Sequence, residues 1–202
     1  MVLVSIDTLI QGAISGNLVS FPTDTVPALA ARPDRAELIF AAKRRSLDKP
    51  LILMGATFRS LLPYLRGSNE QLQLWQQVAQ EYWPGALTLV LPASDRVPRA
   101  MNPGDPTNIG VRIPNCDLAQ KIMTQTGPLA TTSANLSGEP PVTQMAGINV
   151  QFPDVLTLSL SHEQEMAFAS GVPSTVARWN GTDSWEILRQ GAVKLKFEGY
   201  GK

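Results

Sequence analysis

The chain of 202 residues has a single cysteine, Cys116, and a single histidine, His162. That scarcity excludes an intramolecular disulfide and a Cys/His zinc cluster, and it leaves a thiolate–imidazole pair to chance. Net charge is lacking too, since 17 Lys+Arg balance 17 Asp+Glu. Nothing global draws the protein to nucleic acid or membrane, so any pull on a polyanion has to come from cations gathered on one face. No apolar run approaches the roughly 18 residues of a membrane helix. The opening MVLVSIDTLIQGAIS has no basic start and no small-residue cleavage site, and it carries Asp7, which argues against a signal peptide. A cytoplasmic location is the expectation. With 44% hydrophobic and 17% charged residues, the composition is that of an ordinary globular protein, long enough for one α/β domain with its own core. No repeat, low-complexity tract or linker divides it.

Periodicity supplies the elements. Ile6, Leu9, Ile10, Ala13 and Ile14 recur at helical spacing between a Ser5 cap and a Gly16 stop, so the chain is expected to begin with an amphipathic helix. Leu18 to Phe21 reads as a brief strand cut by Pro22. Asp34 with Glu37 resembles a capping box, opening a helix whose Leu38, Ile39 and Ala42 face inward and which ends in Lys43-Arg44-Arg45. Leu51 to Met54 reads as a buried strand, and Phe58 to Leu65 as a short helix that Pro63 caps or kinks. Asn69 to Tyr82 is a longer helix ended by Pro84-Gly85, and Ala86 to Leu91 is a strand. Pro92 to Pro106 has the prolines and turn residues of a loop. A strand at Ile109 to Ile113, a helix from Asp117 to Gln125 closed by Gly127, a short helix capped by Thr143, and a strand at Val155 to Leu160 follow. Val172 to Trp179 and Ser184 to Leu188 flank Asn180-Gly181 as a hairpin. Early alternation with a closing hairpin predicts an α/β fold, a mixed sheet with helices packed on it.

Chemistry concentrates in GPLATTSANLSG, Gly127 to Gly138, where a strand of Leu129 and Ala130 empties into Thr131, Thr132, Ser133 and Asn135. Strand ends of that kind bind ligands in open α/β sheets. Thr23, Lys43 with Arg45, and Ser174 with Arg189 likewise sit where strands or helices end. Together they offer hydroxyl, amide, ammonium and guanidinium groups, but no paired carboxylates, no histidine base and no metal-ligand cluster. Such groups stabilise charge developing on a phosphate, and phosphoryl or nucleotidyl transfer depends mainly on positioning and electrostatics. Read singly, each has a plainer account. Lys43-Arg44-Arg45 is a solvated helix end favoured by the macrodipole, Thr23-Asp24-Thr25 a turn, Ser133-Ala134-Asn135 a self-bonding loop, Ser174-Thr175 strand residues and Arg189 a surface charge. No Walker loop or GxGxxG is present.

Seven segments in order change that balance: FPTDTV (21–26), KRRSLDKPL (43–51), YWPGALTLVL (82–91), IGVRIP (109–114), TTSANLSGEPP (131–141), PSTV (173–176) and LRQG (188–191). In this order they closely resemble the threonylcarbamoyl-AMP synthase family, with its YrdC-like fold. The resemblance spans nearly the whole chain, about 5–193, with a short tail at 194–202, and implies one domain over 1–202. It looks like the short form without an extra C-terminal domain. It implies a twisted sheet of mixed parallel and antiparallel strands, with a basic concave cavity. The implied activity is that of a nucleotidyltransferase: L-threonine, bicarbonate or CO₂, and ATP give threonylcarbamoyl-AMP and diphosphate, for the threonylcarbamoyladenosine of tRNA beside the anticodon. ATP arrives with Mg²⁺, and a separate tRNA threonylcarbamoyl transferase complex is the downstream partner.

The resemblance also carries residue roles. Lys43 and Arg45 match the family's K-x-R, Ser133 and Asn135 its S-x-N, and these four form the implied catalytic set. Arg45, Lys49, Ser133, Asn135, Thr143 and Arg189 fall at ATP-contacting positions; Thr23, Arg112, Ser133 and Ser174 fall at threonine-contacting ones, with Arg112 a partner for the carboxylate. The chain departs from the family at Pro27-Ala28, where Tyr-Gly or Phe-Gly is common, at Met54, where some members have His, and at Cys116, where many have His. Two other readings stand beside this one. A non-catalytic RNA-binding or ribosome-maturation module of the same fold is disfavoured by zero net charge and the lack of a stacking strand. A paralogue without synthase activity is disfavoured by the intact K-x-R and S-x-N.

Overall fold

The computed structural model describes residues 2–140, 142, 144–161, 164, 170–182 and 184–196. In chain order the elements are β1 (Leu3–Val4), α1 (Ile6–Ile14), β2 (Val19–Phe21), β3 (Ala28–Ala31), α2 (Glu37–Lys43), β4 (Ile52–Met54), α3 (Phe58–Leu61), α4 (Asn69–Tyr82), β5 (Leu87–Pro92), β6 (Asn108–Arg112), α5 (Asp117–Thr126), β7 (Leu129–Ser133), α6 (Met145–Gln151), β8 (Leu156–Leu158), β9 (Thr175–Trp179) and β10 (Trp185–Arg189). The strands form one sheet in the order β1-β8-β2-β3-β7-β4-β6-β5-β9-β10. Pairing is parallel at β1/β8, β2/β8, β4/β6 and β5/β9, and antiparallel at the other five junctions. The fold is therefore the mixed α/β arrangement that the sequence pattern predicts.

The register separates a packed face from an open one. Ala130, Leu53, Val111, Leu89 and Ala177 stand side by side across β7, β4, β6, β5 and β9, and every one is fully buried. Each large side chain in that row contributes about 1.5–3 kcal/mol of transfer free energy. The row belongs to one buried cluster with Trp75 and Val78 of α4 and Ala119, Ile122 and Met123 of α5. Side chains alternate between faces along a strand. The neighbouring rows therefore point the other way: Thr131, Ile52, Gly110, Val90 and Arg178 in one, Met54 and Arg112 in the next. Polar groups on that second face are the raw material of the site.

Most elements follow local chemistry. Ser5 caps α1 by accepting from Thr8 N, and Ser68 and Gln71 close a capping box on α4. Several expectations need correction. The chain opens with β1 rather than α1, because Leu3 and Val4 pair with Thr157 and Leu158. Asp34 caps nothing: its carboxylate is held by Arg32 at 2.9 and 2.7 Å inside a 3₁₀ turn, and α2 starts from Ala36 without a side-chain cap. Pro63 converts α3 into a 3₁₀ turn at Leu62–Tyr64. β7 does not stop at Ala130 but runs through Ser133. The last hairpin turns between Asn180 and Ser184, with Asn180 N donating to Ser184 O, and among the described residues there Gly181 alone has a positive φ. β3, a run of Ala-Leu-Ala-Ala with no β-branched residue, was not expected as a strand, yet all four residues are buried between β2 and β7.

Candidate active site

The open face of the sheet floors a cavity of about 570 Å³. β3 seats its key strand: Ala28 pairs with Ser133, and Ala134 N donates to Pro27 O at 2.9 Å, so the end of β7 is fixed where the cavity begins. Of the residues singled out from sequence, Thr23, Arg45, Lys49, Arg112, Ser133, Ser174 and Arg189 all line this one space. Thr143 lies outside the described residues. Lys43 and Asn135 are close by but not on the lining.

Lys43 is 1% exposed despite its place at a helix end, so the solvated-face account fails for it. The helix is closed by Arg44 in the left-handed region (φ 48°), which turns the chain so that Arg45 N donates back to Phe40 O. Lys43 Nζ donates to the carbonyl oxygen of Ser133 and, at 3.4 Å, to Asn135 Oδ1. Burial, with Arg45 adding to it, pulls its pKa down to about 7. Asn135 spends its amide hydrogens on Leu136 O (2.9 Å) and Glu139 O (2.7 Å). The pair therefore grips the S-x-N turn from behind, and the Ser133 side chain, which donates to no described residue, is the part that faces the cavity.

Arg112 is buried, and Asp24 is its ion-pair partner at 2.6 Å. Its Nε donates to Gly85 O (3.0 Å) and Nη1 to Thr25 Oγ1 (2.9 Å), which leaves one hydrogen on each terminal nitrogen for a ligand. Burial works against its charge, and Asp24 works for it. Thr23 donates to Val26 O at 2.7 Å, holding the turn that carries Asp24 and Thr25. Ser174 Oγ lies 2.9 Å from Thr88 Oγ1, and Arg189 donates to Ser174 O at 2.8 and 3.2 Å. Arg45 is braced by Lys49 O and Pro50 O, both at 3.0 Å, leaving three of its five hydrogens unspent. Burial lowers the pKa of Arg45 and of Arg189.

The lining carries Arg45, Lys49, Arg112, Arg178 and Arg189 against Asp48 and Asp105. Thr88, Asp105, Asn108 and Arg178, which also line the cavity, were not read from the sequence. The TDT segment contains Asp24 and Thr25, whereas Thr88, Asn108 and Arg178 are brought together by the sheet register and Asp105 by the loop before β6. Pro27, Ala28 and Met54 give the cavity an apolar wall. Cys116 is buried and its thiol, pushed up in pKa by burial, donates weakly to Pro22 O at 3.5 Å. Among the described residues no group of three or more His, Cys, Asp or Glu gathers, and no helix is long and apolar enough to cross a membrane.

Comparison with known proteins extends this geometry. Residues 13–191 match the family model Sua5_yciO_yrdC, described as "Telomere recombination". Threonylcarbamoyl-AMP synthase of Vibrio campbellii is 32% identical over 189 residues, covering 92% of this chain and 98% of that protein. The structure of P. abyssi Sua5 complexed with L-threonine superimposes with a TM-score of 0.81 at 31% identity, covering 98% of this chain; the chain spans 58% of that Sua5 chain. E. coli YciO shares the fold, with a TM-score of 0.74 over 95% of this chain and 91% of its own at 21% identity. A family match that takes in both the K-x-R and S-x-N segments, and relatives similar along most of their shared length, lead to one statement: the chain belongs to the Sua5/YciO/YrdC family.

Proposed function

We propose that the protein is an L-threonylcarbamoyladenylate synthase, a nucleotidyltransferase that converts L-threonine, bicarbonate or CO₂, and ATP into threonylcarbamoyl-AMP and diphosphate. Relatives named for that reaction support the reading, as does the L-threonine complex of P. abyssi Sua5. The observation that carries it is the meeting, in one cavity, of an amino-acid end and a phosphate end at Ser133. At the first end, the two spare hydrogens of Arg112 fork onto the threonine carboxylate, with Thr23 and Ser174 beside it. At the second, Arg45, Lys49 and Arg189 hold the phosphates.

Threonine's neutral amine forms a carbamate by adding to CO₂, with the nitrogen's proton passing to solvent, or by displacing water from bicarbonate. A carbamate oxygen then attacks the α-phosphorus, and diphosphate leaves. No proton has to be taken by a strong base once the carbamate has formed, so the site needs charge stabilisation and alignment instead. Arg45, with its backbone anchors, meets the charge on the α-phosphate, and Ser133 Oγ donates to the oxygen between the two substrates. Lys43 and Asn135 hold that serine in place. Mg²⁺ enters as the ATP complex. The expected location is the cytoplasm, where a transferase complex would carry the group to the tRNA adenosine beside the anticodon.

The test is to incubate the protein with Mg²⁺-ATP, bicarbonate and L-threonine, omitting each in turn, and to follow diphosphate and the carbamoyl-adenylate mass. Diphosphate release that needs all three, with the adduct present, is the expected outcome. Release that is indifferent to threonine would refute the reading.

A further inference from the structure

Arg189 reaches the cavity through an irregularity in the last strand. β10 ends the sheet and pairs with β9. Its register sets Trp185 opposite Trp179, Glu186 opposite Arg178 and Ile187 opposite Ala177, and then slips, so that Arg189 instead of Leu188 stands opposite Val176. Leu188 is the extra residue of a β-bulge. That slip decides which face Arg189 joins. Ala177 is buried in the packed row, whereas Val176 and Arg178 line the cavity. In an unbroken strand Ile187 and Arg189 would share a face, because side chains alternate, and the guanidinium would fall on the packed side opposite Thr175. With the bulge, Leu188 and Arg189 both line the cavity.

One buried hydroxyl holds the chain beyond the bulge. Thr175 is fully buried and lies off the cavity lining. Its Oγ1 accepts from Gly191 N at 3.0 Å and Val193 N at 3.2 Å, and it donates to Val193 O at 2.5 Å. Those bonds use the full capacity of a hydroxyl. Gln190 Nε2 folds back onto Val193 O at 2.8 Å, and Ala192 N donates to Pro173 O at 3.0 Å. Gly191 is drawn so close to the backbone of Pro173, Ser174 and Thr175 that no Cβ fits there. After Arg189 the chain is therefore bound to a side chain of β9 and does not continue the ladder. Arg189 itself donates Nε and Nη2 to Ser174 O and Nη2 to Ser174 Oγ at 3.3 Å, so among the described residues both Nη1 hydrogens are left for a ligand.

Resting on the reading of Arg189 as a phosphate contact, we infer that Thr175 is a positioning residue of the active site, whose hydroxyl locks the β10 bulge and so turns Arg189 into the cavity. Thr175→Val keeps the shape of the side chain and removes its bonds to Gly191 and Val193. β10 then relaxes to a regular ladder with Arg189 opposite residue 175, and the guanidinium leaves the cavity face.

Cross-strand nuclear Overhauser effects read the register with no ligand present, and competition with a fluorescent nucleotide, well below the melting temperature, reads ATP affinity without turnover. Wild type is expected to connect Arg189 with Val176, and Thr175→Val to connect it with residue 175. ATP affinity should fall about tenfold or more in Thr175→Val, as in Arg189→Ala, and no further in the double variant, since one charge-assisted contact is lost in each case. Thr175→Ser keeps the hydroxyl and should stay within about twofold of wild type. Deleting Leu188 from Thr175→Val removes the extra residue, so a regular strand again sets Arg189 opposite Val176, and affinity should recover to within about threefold. An unchanged register, losses that multiply in the double variant, or no recovery on deletion would overturn the inference. So would a Thr175→Val protein that has lost thermal stability yet binds ATP as wild type does while Arg189→Ala does not. Thr175→Ala takes the place of the valine variant if that does not fold. If Arg189→Ala binds ATP as tightly as wild type, or wild type binds none, the phosphate role of Arg189 falls, and the register alone decides for or against Thr175.

Discussion

Lys43→Met should make the protein more stable at neutral pH and less stable at high pH. The side chain is 1% exposed and, among the described residues, meets no carboxylate, only the carbonyl of Ser133 and the amide oxygen of Asn135. Its pKa falls from 10.5 to about 7, chiefly by burial and then by Arg45. Between those values the unfolded chain keeps a proton that the folded protein has lost, so stability rises with pH through that window. Below about pH 7 both states carry the ammonium and the folded state bears the whole penalty. At about 1.4 kcal/mol per pKa unit the penalty is at most about 5 kcal/mol. Met keeps the alkyl length and removes the charge, but it leaves Asn135 Oδ1 unpaired at a cost of about 1–3 kcal/mol. Ser133 O still receives Asn135 N at 3.0 Å. The net at pH 6.5 is a gain of at most about 2–4 kcal/mol, or several degrees in Tm. At pH 9.5 the charge penalty has shrunk to about 1 kcal/mol and the orphaned amide dominates, so the sign reverses.

Urea unfolding of wild type and variant at the two pH values measures both signs, and diphosphate release from Mg²⁺-ATP measures the function. A variant that is more stable at pH 6.5 yet has lost most of its turnover marks a charge kept for activity against the interest of the fold. A stability difference of the same sign and size at both pH values would refute the argument from burial.

Asp24→Asn removes the only counter-charge of Arg112 among the described residues and should lower stability by about 3 kcal/mol. Saturating L-threonine should then raise the variant's Tm by more than it raises the wild type's, because the substrate carboxylate replaces the lost partner; equal shifts would remove Arg112 from the threonine site. Gly191→Ala should cost about 3 kcal/mol, since a Cβ there would lie 2.3 Å from Pro173 O, 2.4 Å from Ser174 C and 2.5 Å from Thr175 N, all backbone. Thermal unfolding checks the loss, and turnover should fall with it as Ser174 and Arg189 are pushed apart.

How far the chain could be read depended on the range of the cause. α1 and α4 are set by periodic apolar residues and by serines that cap the next turn, so their bounds were legible within a few positions. β3 was not, because nothing in Ala-Leu-Ala-Ala prefers a strand over a helix. Its extended form comes from burial between β2 and β7, a cause that exists only once those strands are in place. The site divides in the same way. Arg45 and Lys49 brace one another through a local turn, and a motif captures them. Lys43 and Ser133 meet across 90 residues, and what the motif could not carry is that Lys43 touches the back of the wall rather than the cavity. The end at Asp105 and Arg178 had no motif at all, since Arg178 is placed by the β5/β9 register and Asp105 by its bonds to Asn102, Thr107 and Asn108 around the loop before β6. Motifs therefore found the groups gathered at the cavity without separating those that line it from those that hold its wall. Burial and hydrogen bonding show which of them line the cavity and which, like Lys43 and Asn135, hold its wall from behind, and Lys43→Met is the substitution that tests the difference.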